Sequence, residues 1–247
     1  MNSLDLNRFK AIIFDLDSTL TNTHRYPILA CEWLMQKSGV SSEEQIAEYV
    51  RILVMRYRNA IRAVVDGAPY QTPLQIIREE MENSLHDIDL KVDGNLVDEA
   101  TRRFKSLHIE LSTPYEGVPE LLDTLSEKSL RLGVLSNSFE GNAKVILMKL
   151  ELDQYFSSIL DCGDVKAFKP MSQIFTHIIQ ELGVDVKEAI YVGDEYYADM
   201  VGGKGVGMTT IWINNRDRSL QDLISKYGVA SSPDYILHSV SEIGQML

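Results

Sequence analysis

Two different spacings of apolar residues divide the chain. From about residue 26 to residue 111, apolar positions recur every three to four residues, which is the spacing of amphipathic helices. Strand signals are almost absent there, and loops rich in Gly, Pro, Asp and Ser separate the helical stretches. The spacing predicts four helices, at residues 26–37, 43–65, 73–86 and 95–110.

After residue 112, short β-branched runs alternate with helical stretches. The runs predict strands at residues 131–137, 157–161, 189–194, 208–214 and 234–237. Helices are predicted near residues 118–128, 140–150, 171–182, 197–203 and 217–227. Such alternation is typical of a mostly parallel sheet covered by helices.

A further apolar run, at residues 10–14, predicts the first strand of that sheet. Ser18 and Thr19 follow it, and they predict a turn or a helix cap. The predicted fold class is therefore α/β: a Rossmann-like, doubly wound parallel sheet core with an inserted all-helical domain. The predicted domains are an α/β core at residues 1–20 and 112–247 and a helical insertion at residues 21–111.

Polar side chains of chemical interest follow the predicted strands at the points where those strands end. Because the carboxyl ends of parallel strands meet at one edge of a sheet, we expect these side chains to converge. They include four carboxylates, which would repel one another strongly unless a cation lies among them. The residues are, in chain order, Asp15, Asp17, Ser136, Asn137, Lys169, Asp194 and Asp199.

The donor chemistry of this set indicates a metal ion and a phosphate group. Carboxylate oxygens suit Mg²⁺, which usually binds beside phosphate through few protein groups and several waters. The Ser136 hydroxyl and the Lys169 ammonium are a donor and a cation suited to phosphate oxygens. The residues therefore favour Mg²⁺-assisted chemistry on a phosphorylated compound.

Four segments that carry these residues, FDLDST, LSN, AFKP and VGDEYYAD, resemble the four motifs of the haloacid-dehalogenase superfamily of phosphatases and phosphotransferases. The helical block at residues 21–111 is similar to the cap that this superfamily inserts after its first motif. Four motifs in the same order are far more specific than any one of them. The resemblance covers nearly the whole chain, and it implies a Mg²⁺-dependent phosphatase that acts on a small phosphorylated metabolite.

The resemblance also implies a role for each carboxylate. Asp15 would be the nucleophile that forms an aspartyl-phosphate, and Asp17 would act first as the acid and then as the base. The Asp15 carboxylate, the Asp17 backbone carbonyl and Asp194 would bind Mg²⁺. Asp199 would support the metal directly or through water, with Glu195 as the alternative acid.

The remaining motif residues would contact the phosphate. By the same resemblance, Ser136 would hold a phosphate oxygen with Asn137 beside it. Lys169 would neutralise charge on the phosphoryl group and on the nucleophile. The Thr19 hydroxyl is a further candidate for holding the geometry of the turn and for contacting phosphate.

Alternative functions differ in the fate of the phosphoryl group or in the residues they need. A phosphoryl mutase, such as a sugar-phosphate mutase, would use the same core, and the sequence leaves it open. A 2-haloacid dehalogenase is disfavoured because Asp17 is present, and a phosphonatase because the early cap offers only Lys37 before Lys91. A non-enzymatic binder of a phosphorylated ligand would be expected to have lost Asp15 or Asp17.

Composition excludes several classes of partner. The net charge of −12 disfavours nucleic acid and anionic membrane surfaces, although a small anion could bind locally. No apolar run approaches the ~20 residues of a membrane helix, and the first ten residues contain no apolar signal-peptide segment. Cys31 and Cys162 lack metal-site spacing and are expected to be reduced. We expect a cytoplasmic monomer or homodimer.

Two groups of basic residues in the helical block receive different interpretations. Arg51, Arg58 and Arg62 share one face of the second predicted helix, and we expect that face to be solvated. His24 and Arg25 follow the first motif directly and are candidates for substrate contact.

The glycine-rich run at residues 202–209 lacks the spacing of a nucleotide-binding loop and follows a predicted helix. We therefore expect its glycines to shape the turn into the strand predicted at residues 208–214.

Overall fold

The computed structural model describes residues 6–246. Contacts within it divide the chain after Asn22 and after Ser112 into two compact units. We call the unit Thr23–Ser112 the helical unit and the other the core unit. Residues 1–5 and 247, which the prediction includes in the core, lie outside the described residues.

A parallel sheet forms the centre of the core unit. The strands of the core unit are, in chain order, β1 (Ala11–Phe14), β2 (Thr21–Asn22), β3 (Thr113–Pro114), β4 (Arg131–Ser136), β5 (Ser158–Asp161), β6 (Ala189–Gly193), β7 (Thr209–Ile213) and β8 (Tyr235–Leu237). β2 and β3 pair with each other in a short antiparallel ribbon, and the other six form the parallel sheet. The sheet order is β5–β4–β1–β6–β7–β8, and all neighbours are parallel. The predicted sheet is confirmed, and each predicted strand lies within one residue of its observed ends.

The chain builds this sheet outward in both directions from β1. β4 and β5 add on one side and β6, β7 and β8 on the other, so β1 lies at the topological switch point. All four residues of β1 are fully buried, as expected for a central strand covered on both faces. Ligands of such sheets bind beyond the carboxyl ends of the strands at this point.

The predicted helices of the helical unit are confirmed to within one residue at either end. They are α1 (Tyr26–Lys37), α2 (Glu43–Val65), α3 (Pro73–Asp87) and α4 (Gly94–Leu111). Side chains cap three of them: Ser42, Thr72 and Asp93 each accept a hydrogen bond from a backbone N–H of the first turn. Among residues 6–246, no helix has the length and apolar character needed to cross a lipid bilayer.

The helices of the core unit are α5 (Val118–Ser126), α6 (Asn142–Lys149), α7 (Cys162–Val165), α8 (Ser172–Leu182), α9 (Gly202–Val206) and α10 (Leu220–Tyr227). The short α7 was not expected from the sequence, and α10 begins three residues later than predicted. Ser219 explains the later start, because its side chain accepts from the Asp222 N–H and so caps the helix. A π-helix, Tyr196–Val201, precedes α9 directly.

The prediction for the glycine-rich run is wrong in part. Gly202 and Gly203 lie in α9, and only Gly207, with φ +91°, makes the turn towards β7. A Cβ atom at Gly202 would overlap the Phe175 ring, and one at Gly203 would lie 2.9 Å from Thr210 Cγ2. These two glycines therefore allow α9 to approach its neighbours closely.

Candidate active site

The turn after β1 places Asp15 at the carboxyl edge of the sheet. Asp15 N–H donates to the Val192 carbonyl of β6 at 2.8 Å, which extends the strand pairing by one residue. Ser18 adopts φ +66°, a left-handed conformation, and its N–H donates to the Thr21 carbonyl at 2.7 Å. The turn leads into β2, so the predicted turn is confirmed and the alternative of a helix cap is wrong.

Thr19 holds the carboxylate that this turn presents. Its hydroxyl is buried and donates to Asp15 Oδ2 at 3.1 Å. The predicted support for the geometry of the turn therefore has a direct contact in the structure.

Lys169 lies at the centre of a buried ion cluster. Its Nζ donates to Asp15 Oδ1 at 2.6 Å, to Asp199 Oδ1 at 2.7 Å and to the Tyr191 hydroxyl at 2.9 Å. Lys169 is 3% exposed and Asp199 is completely buried. Burial alone lowers the pKa of Lys169, but the Asp15 and Asp199 carboxylates outweigh it and hold that pKa well above its usual value. Lys169 is therefore a fixed positive charge beside the Asp15 carboxylate.

Asn137 fixes the backbone of this lysine. Its Oδ1 accepts from the Lys169 N–H at 2.8 Å, and its Nδ2 donates to the Lys169 carbonyl at 3.2 Å. The Asn137 amide therefore positions Lys169, and the phosphate contact expected of Asn137 stays a prediction. Ser136, which is buried at the end of β4, accepts from the Ser138 N–H at 3.1 Å through its Oγ.

The π-helix after β6 turns Asp199 back towards Lys169. Asp199 Oδ1 accepts from Lys169 Nζ and from the Tyr191 hydroxyl, and Oδ2 accepts from the Glu195 N–H at 2.9 Å. A Cβ atom at Gly193 would overlap the Asp199 carboxylate, so glycine is needed for this approach. π-Helical turns are frequent at functional sites, where they change the direction of a side chain. Both oxygens of Asp199 are thus engaged in holding Lys169 and the turn.

Three buried carboxylates form the candidate metal centre. Asp15, Asp194 and Asp199 each offer one oxygen, and these atoms lie within 4.8 Å of one another. Burial raises the pKa of Asp15 to about 7 against the opposing charge of Lys169, and the Asp199 and Asp17 charges raise it further. Burial, followed by the Asp15 and Asp199 charges, raises the pKa of Asp194 well above its usual value.

Three carboxylates thus surround one ammonium group at this buried centre, so Lys169 alone cannot balance them when all three are ionised. A divalent cation would relieve the repulsion, and an all-oxygen donor set suits Mg²⁺. The residues present therefore fit such an ion.

Two arginines that the sequence analysis missed lie beside this cluster. Arg216 contacts Asp194 Oδ2 at 3.0 Å and Glu195 Oε2 at 3.7 Å, and Arg218 contacts Glu195 Oε1 at 3.3 Å. Both follow β7 in the segment NNRDRS. The rule applied to the other strand ends, that chemistry collects at their carboxyl side, would have found them had it been applied to β7.

Tyr191 was also missed, because it reads as an ordinary buried strand residue. Its hydroxyl accepts from Lys169 Nζ at 2.9 Å and lies 3.2 Å from both Asp199 Oδ1 and the Leu135 carbonyl oxygen of β4, which share its one proton. No periodic pattern could distinguish this phenol from a core side chain.

The basic residues singled out in the helical unit are exposed. Arg51, Arg58 and Arg62 all lie at the surface, and Arg51 pairs with Glu48 on the same helix, so the face is exposed and the absence of a substrate contact there stays a prediction. His24 and Arg25 are exposed as well, and their contact with a substrate stays a prediction. Both cysteines are buried.

Comparison with known proteins relates this arrangement to one family. Residues 12–213 match the sequence profile of the haloacid dehalogenase-like hydrolases. Pyrophosphatase PpaX of Bacillus mycoides is 25% identical over 240 residues, which cover 96% of this chain and 95% of that protein.

Solved structures show the same fold at lower identity. The HAD-hydrolase YfnB of Bacillus subtilis, determined with bound magnesium, gives a TM-score of 0.78 at 20% identity and covers 97% of this chain and 99% of its own. The L-2-haloacid dehalogenase of Xanthobacter autotrophicus gives a TM-score of 0.72 at 16% identity, and the match covers 96% of this chain and 98% of that dehalogenase. Since the family profile spans most of the chain, this protein belongs to the haloacid dehalogenase-like hydrolases.

Proposed function

We propose that this hydrolase is a Mg²⁺-dependent phosphatase that releases phosphate from a small molecule through a phosphorylated Asp15. The observation that carries the proposal is the buried contact of Lys169 with Asp15 and Asp199. It fixes one carboxylate oxygen against a permanent positive charge, while Thr19 fixes the other. A carboxylate oriented from both sides is suited to attack on phosphorus.

In the first step an Asp15 oxygen attacks the phosphorus atom, and the bond from phosphorus to the leaving oxygen breaks. Asp17, protonated at this stage, gives its proton to the leaving oxygen. The product of the step is an aspartyl-phosphate and an alcohol, or a phosphate when the substrate is pyrophosphate. The Ser136 hydroxyl would bind an equatorial phosphoryl oxygen, and the positive charge of Lys169 beside Asp15 would neutralise charge on the phosphoryl group.

In the second step water attacks the same phosphorus atom, and the bond to Asp15 breaks. Asp17, now a carboxylate, accepts a proton from that water and returns to its starting state. Inorganic phosphate leaves, and Asp15 is again a carboxylate held by Lys169 and Thr19. Two easier steps replace one slow hydrolysis.

The Asp15 carboxylate, the Asp17 backbone carbonyl and Asp194 would hold Mg²⁺. When bound, the ion supplies positive charge to the carboxylates and to the phosphoryl oxygens. Asp199 has the weaker claim to a direct metal bond, because three donors already face its two oxygens, whereas each oxygen of Asp15 has one donor. We therefore assign it to positioning Lys169, with any metal contact made through water.

The substrate is proposed by class. The relative PpaX is named a pyrophosphatase, so inorganic pyrophosphate belongs in any test beside small phosphomonoesters. The helical unit as a cap that selects the substrate stays a prediction, as do cytoplasmic localisation and the choice between monomer and homodimer. A dehalogenase remains disfavoured, because Asp17 lies two residues after the nucleophile and such an acid is needed for phosphoryl leaving groups.

The test is phosphate release from pyrophosphate and a panel of phosphomonoesters, in Mg²⁺ and in EDTA. We expect release in Mg²⁺ only, and its loss in Asp15→Asn. Release that survives both EDTA and Asp15→Asn would contradict the proposal. A mutase would instead give an isomerised product with little free phosphate, and a non-enzymatic binder would bind the ligand without turnover.

A further inference from the structure

The loop after β7 is held firmly beside the turn that carries Asp15. Asn214 Oδ1 accepts from the Arg218 N–H at 2.9 Å, and its Nδ2 donates to the Arg218 carbonyl at 3.0 Å. Asn215 Nδ2 donates to the Ser18 carbonyl at 3.0 Å. Arg216 lies between these anchors, so its backbone is fixed although its side chain is 40% exposed.

The Arg216 guanidinium covers a carboxylate of the candidate metal centre. It lies 3.0 Å from Asp194 Oδ2, and it also contacts Ser18 Oγ at 3.3 Å. Asp194 itself is only 5% exposed. Lys169 is committed to Asp15 and Asp199, so Arg216 supplies the positive charge that Asp194 receives from the loop.

A divalent cation bound by Asp15 and Asp194 would share the Asp194 carboxylate with this guanidinium. Both groups are positively charged, so each would weaken the attraction of the other to that buried carboxylate. Moving the guanidinium into solvent is cheap, because the side chain is long and already partly exposed. Metal binding and the pair between Arg216 and Asp194 are therefore linked.

We propose that Arg216 competes with Mg²⁺ for Asp194 and so sets the metal affinity of the site. In the metal-free protein Arg216 neutralises Asp194, and the ion displaces it. The proposal rests on the metal site of the proposed function. Because coupling is reciprocal, whatever weakens the arginine contact strengthens metal binding.

The test is isothermal titration of Mg²⁺ into metal-stripped protein, for wild type, Arg216→Gln and Arg218→Gln. We expect Arg216→Gln to lower the Kd for Mg²⁺ by about 10-fold, a typical coupling between two sites. Arg218→Gln is the matched control: it removes the same charge from the same loop, but its partner is Glu195. Its Kd should stay within about 2-fold of wild type, as for a partly exposed pair.

A second measurement separates competition from a structural effect. In EDTA, Arg216→Gln should melt below wild type because Asp194 loses its partner, and Mg²⁺ should raise its Tm by more than it raises that of wild type. Arg216→Lys keeps the charge and should fall between the two in Kd.

The outcomes separate this inference from the proposed function. An unchanged or higher Kd in Arg216→Gln overturns the inference, and Mg²⁺-dependent phosphate release by wild type would still support the function. Absence of Mg²⁺ binding in both proteins overturns the inference together with the metal part of the proposed function.

Discussion

The two units differ in whether their charged side chains are buried or exposed. Among the described residues, every buried carboxylate or ammonium group belongs to the core unit. These residues are Asp15, Asp161, Lys169, Asp194 and Asp199. The helical unit keeps its carboxylates and cations at exposed or half-buried positions, in pairs such as Arg56 with Asp87 and Arg78 with Asp98.

The difference indicates where the chemistry lies. Removing a charge from water costs several kcal/mol, and a partner repays that cost only with good geometry. Exposed pairs incur little desolvation, and each contributes about 0–1 kcal/mol. A buried cluster with unbalanced charge is not expected to increase the free energy of unfolding, so binding of a positively charged ligand explains it better. The helical unit shows no such cluster among its described residues.

The largest expected effect is a loss of activity, and it should distinguish two buried carboxylates of the core unit. Asp15→Asn removes the nucleophile, and we expect kcat to fall by about 10⁴-fold or more. Asp161→Asn is the control, because Asp161 is the last residue of β5, but its oxygens accept from the Gly141 and Gly163 N–H groups. We expect it to retain activity to within about 10-fold, as a residue outside the reaction does. The measurement is steady-state phosphate release in Mg²⁺, and equal losses in the two variants would break the distinction.

The next effect is on stability. Lys169→Met leaves the Asp15 and Asp199 carboxylates without their cation, and we expect the free energy of unfolding to fall by about 3–5 kcal/mol in EDTA at pH 8. Mg²⁺ should restore part of this loss. Urea denaturation followed by circular dichroism measures both quantities. A loss below about 1 kcal/mol would place this pair with the exposed ones.

The raised pKa of Asp15 predicts a pH dependence of stability without metal. Its pKa rises from 3.8 unfolded to about 7 folded, so between these values the folded state binds more protons than the unfolded state. The free energy of unfolding should therefore fall as pH rises from about 4 to about 7. Asp15→Asn lacks this titration and also removes the Asp15 charge that helps to raise the pKa of Asp194, so both changes weaken the pH dependence of the variant, whereas Asp161, with a pKa of about 6, contributes in both proteins.

The measurement is the difference in Tm between wild type and Asp15→Asn in EDTA, across that pH range. Wild type should lose Tm relative to the variant as pH rises, and Mg²⁺ should reduce the loss. A difference that is flat with pH, or that grows in favour of wild type, would contradict the raised pKa.

The smallest effect is expected in the helical unit. Arg78→Met removes an exposed cation that contacts Asp98 at 2.7 Å and Glu82 at 3.1 Å. We expect the free energy of unfolding to change by about 1 kcal/mol or less, and by less still in high salt. Urea denaturation at two salt concentrations measures it. A loss as large as that of Lys169→Met would remove the contrast between the units.

Much of the fold could be predicted because apolar spacing reports helices and strands directly. The strand ends also indicated candidate residues of the site, since Asp15 and Asp194 directly follow β1 and β6. Lys169 lies further along the chain, in the loop between α7 and α8. The hydrogen bonds that these residues make could not be predicted from the sequence. The amide of Asn137 holds the Lys169 backbone, and the Tyr191 hydroxyl reaches Lys169 across the sheet; both contacts depend on tertiary packing alone.

The structure differs from the sequence-based predictions at two further places, the glycine-rich run and the loop after β7. Gly202 and Gly203 look like turn residues, but they serve close packing of α9, which a local pattern does not report. Arg216 was detectable, because it follows a strand of the same sheet. Substrate choice could not be predicted from the helical unit, because exposed charges such as Arg51 are ordinary on any helix surface.

The central claim is that Asp15 takes the phosphoryl group, and mass spectrometry of trapped protein tests it most directly. Asp17→Asn should accumulate the aspartyl-phosphate, because the base for its hydrolysis is absent. With p-nitrophenyl phosphate the leaving group needs little protonation, so the first step still proceeds. After an acid quench in Mg²⁺, we expect the mass of one phosphoryl group on the peptide that contains Asp15, and none in Asp15→Asn. A phosphoryl group on another residue, or turnover without any labelled peptide, would contradict the account.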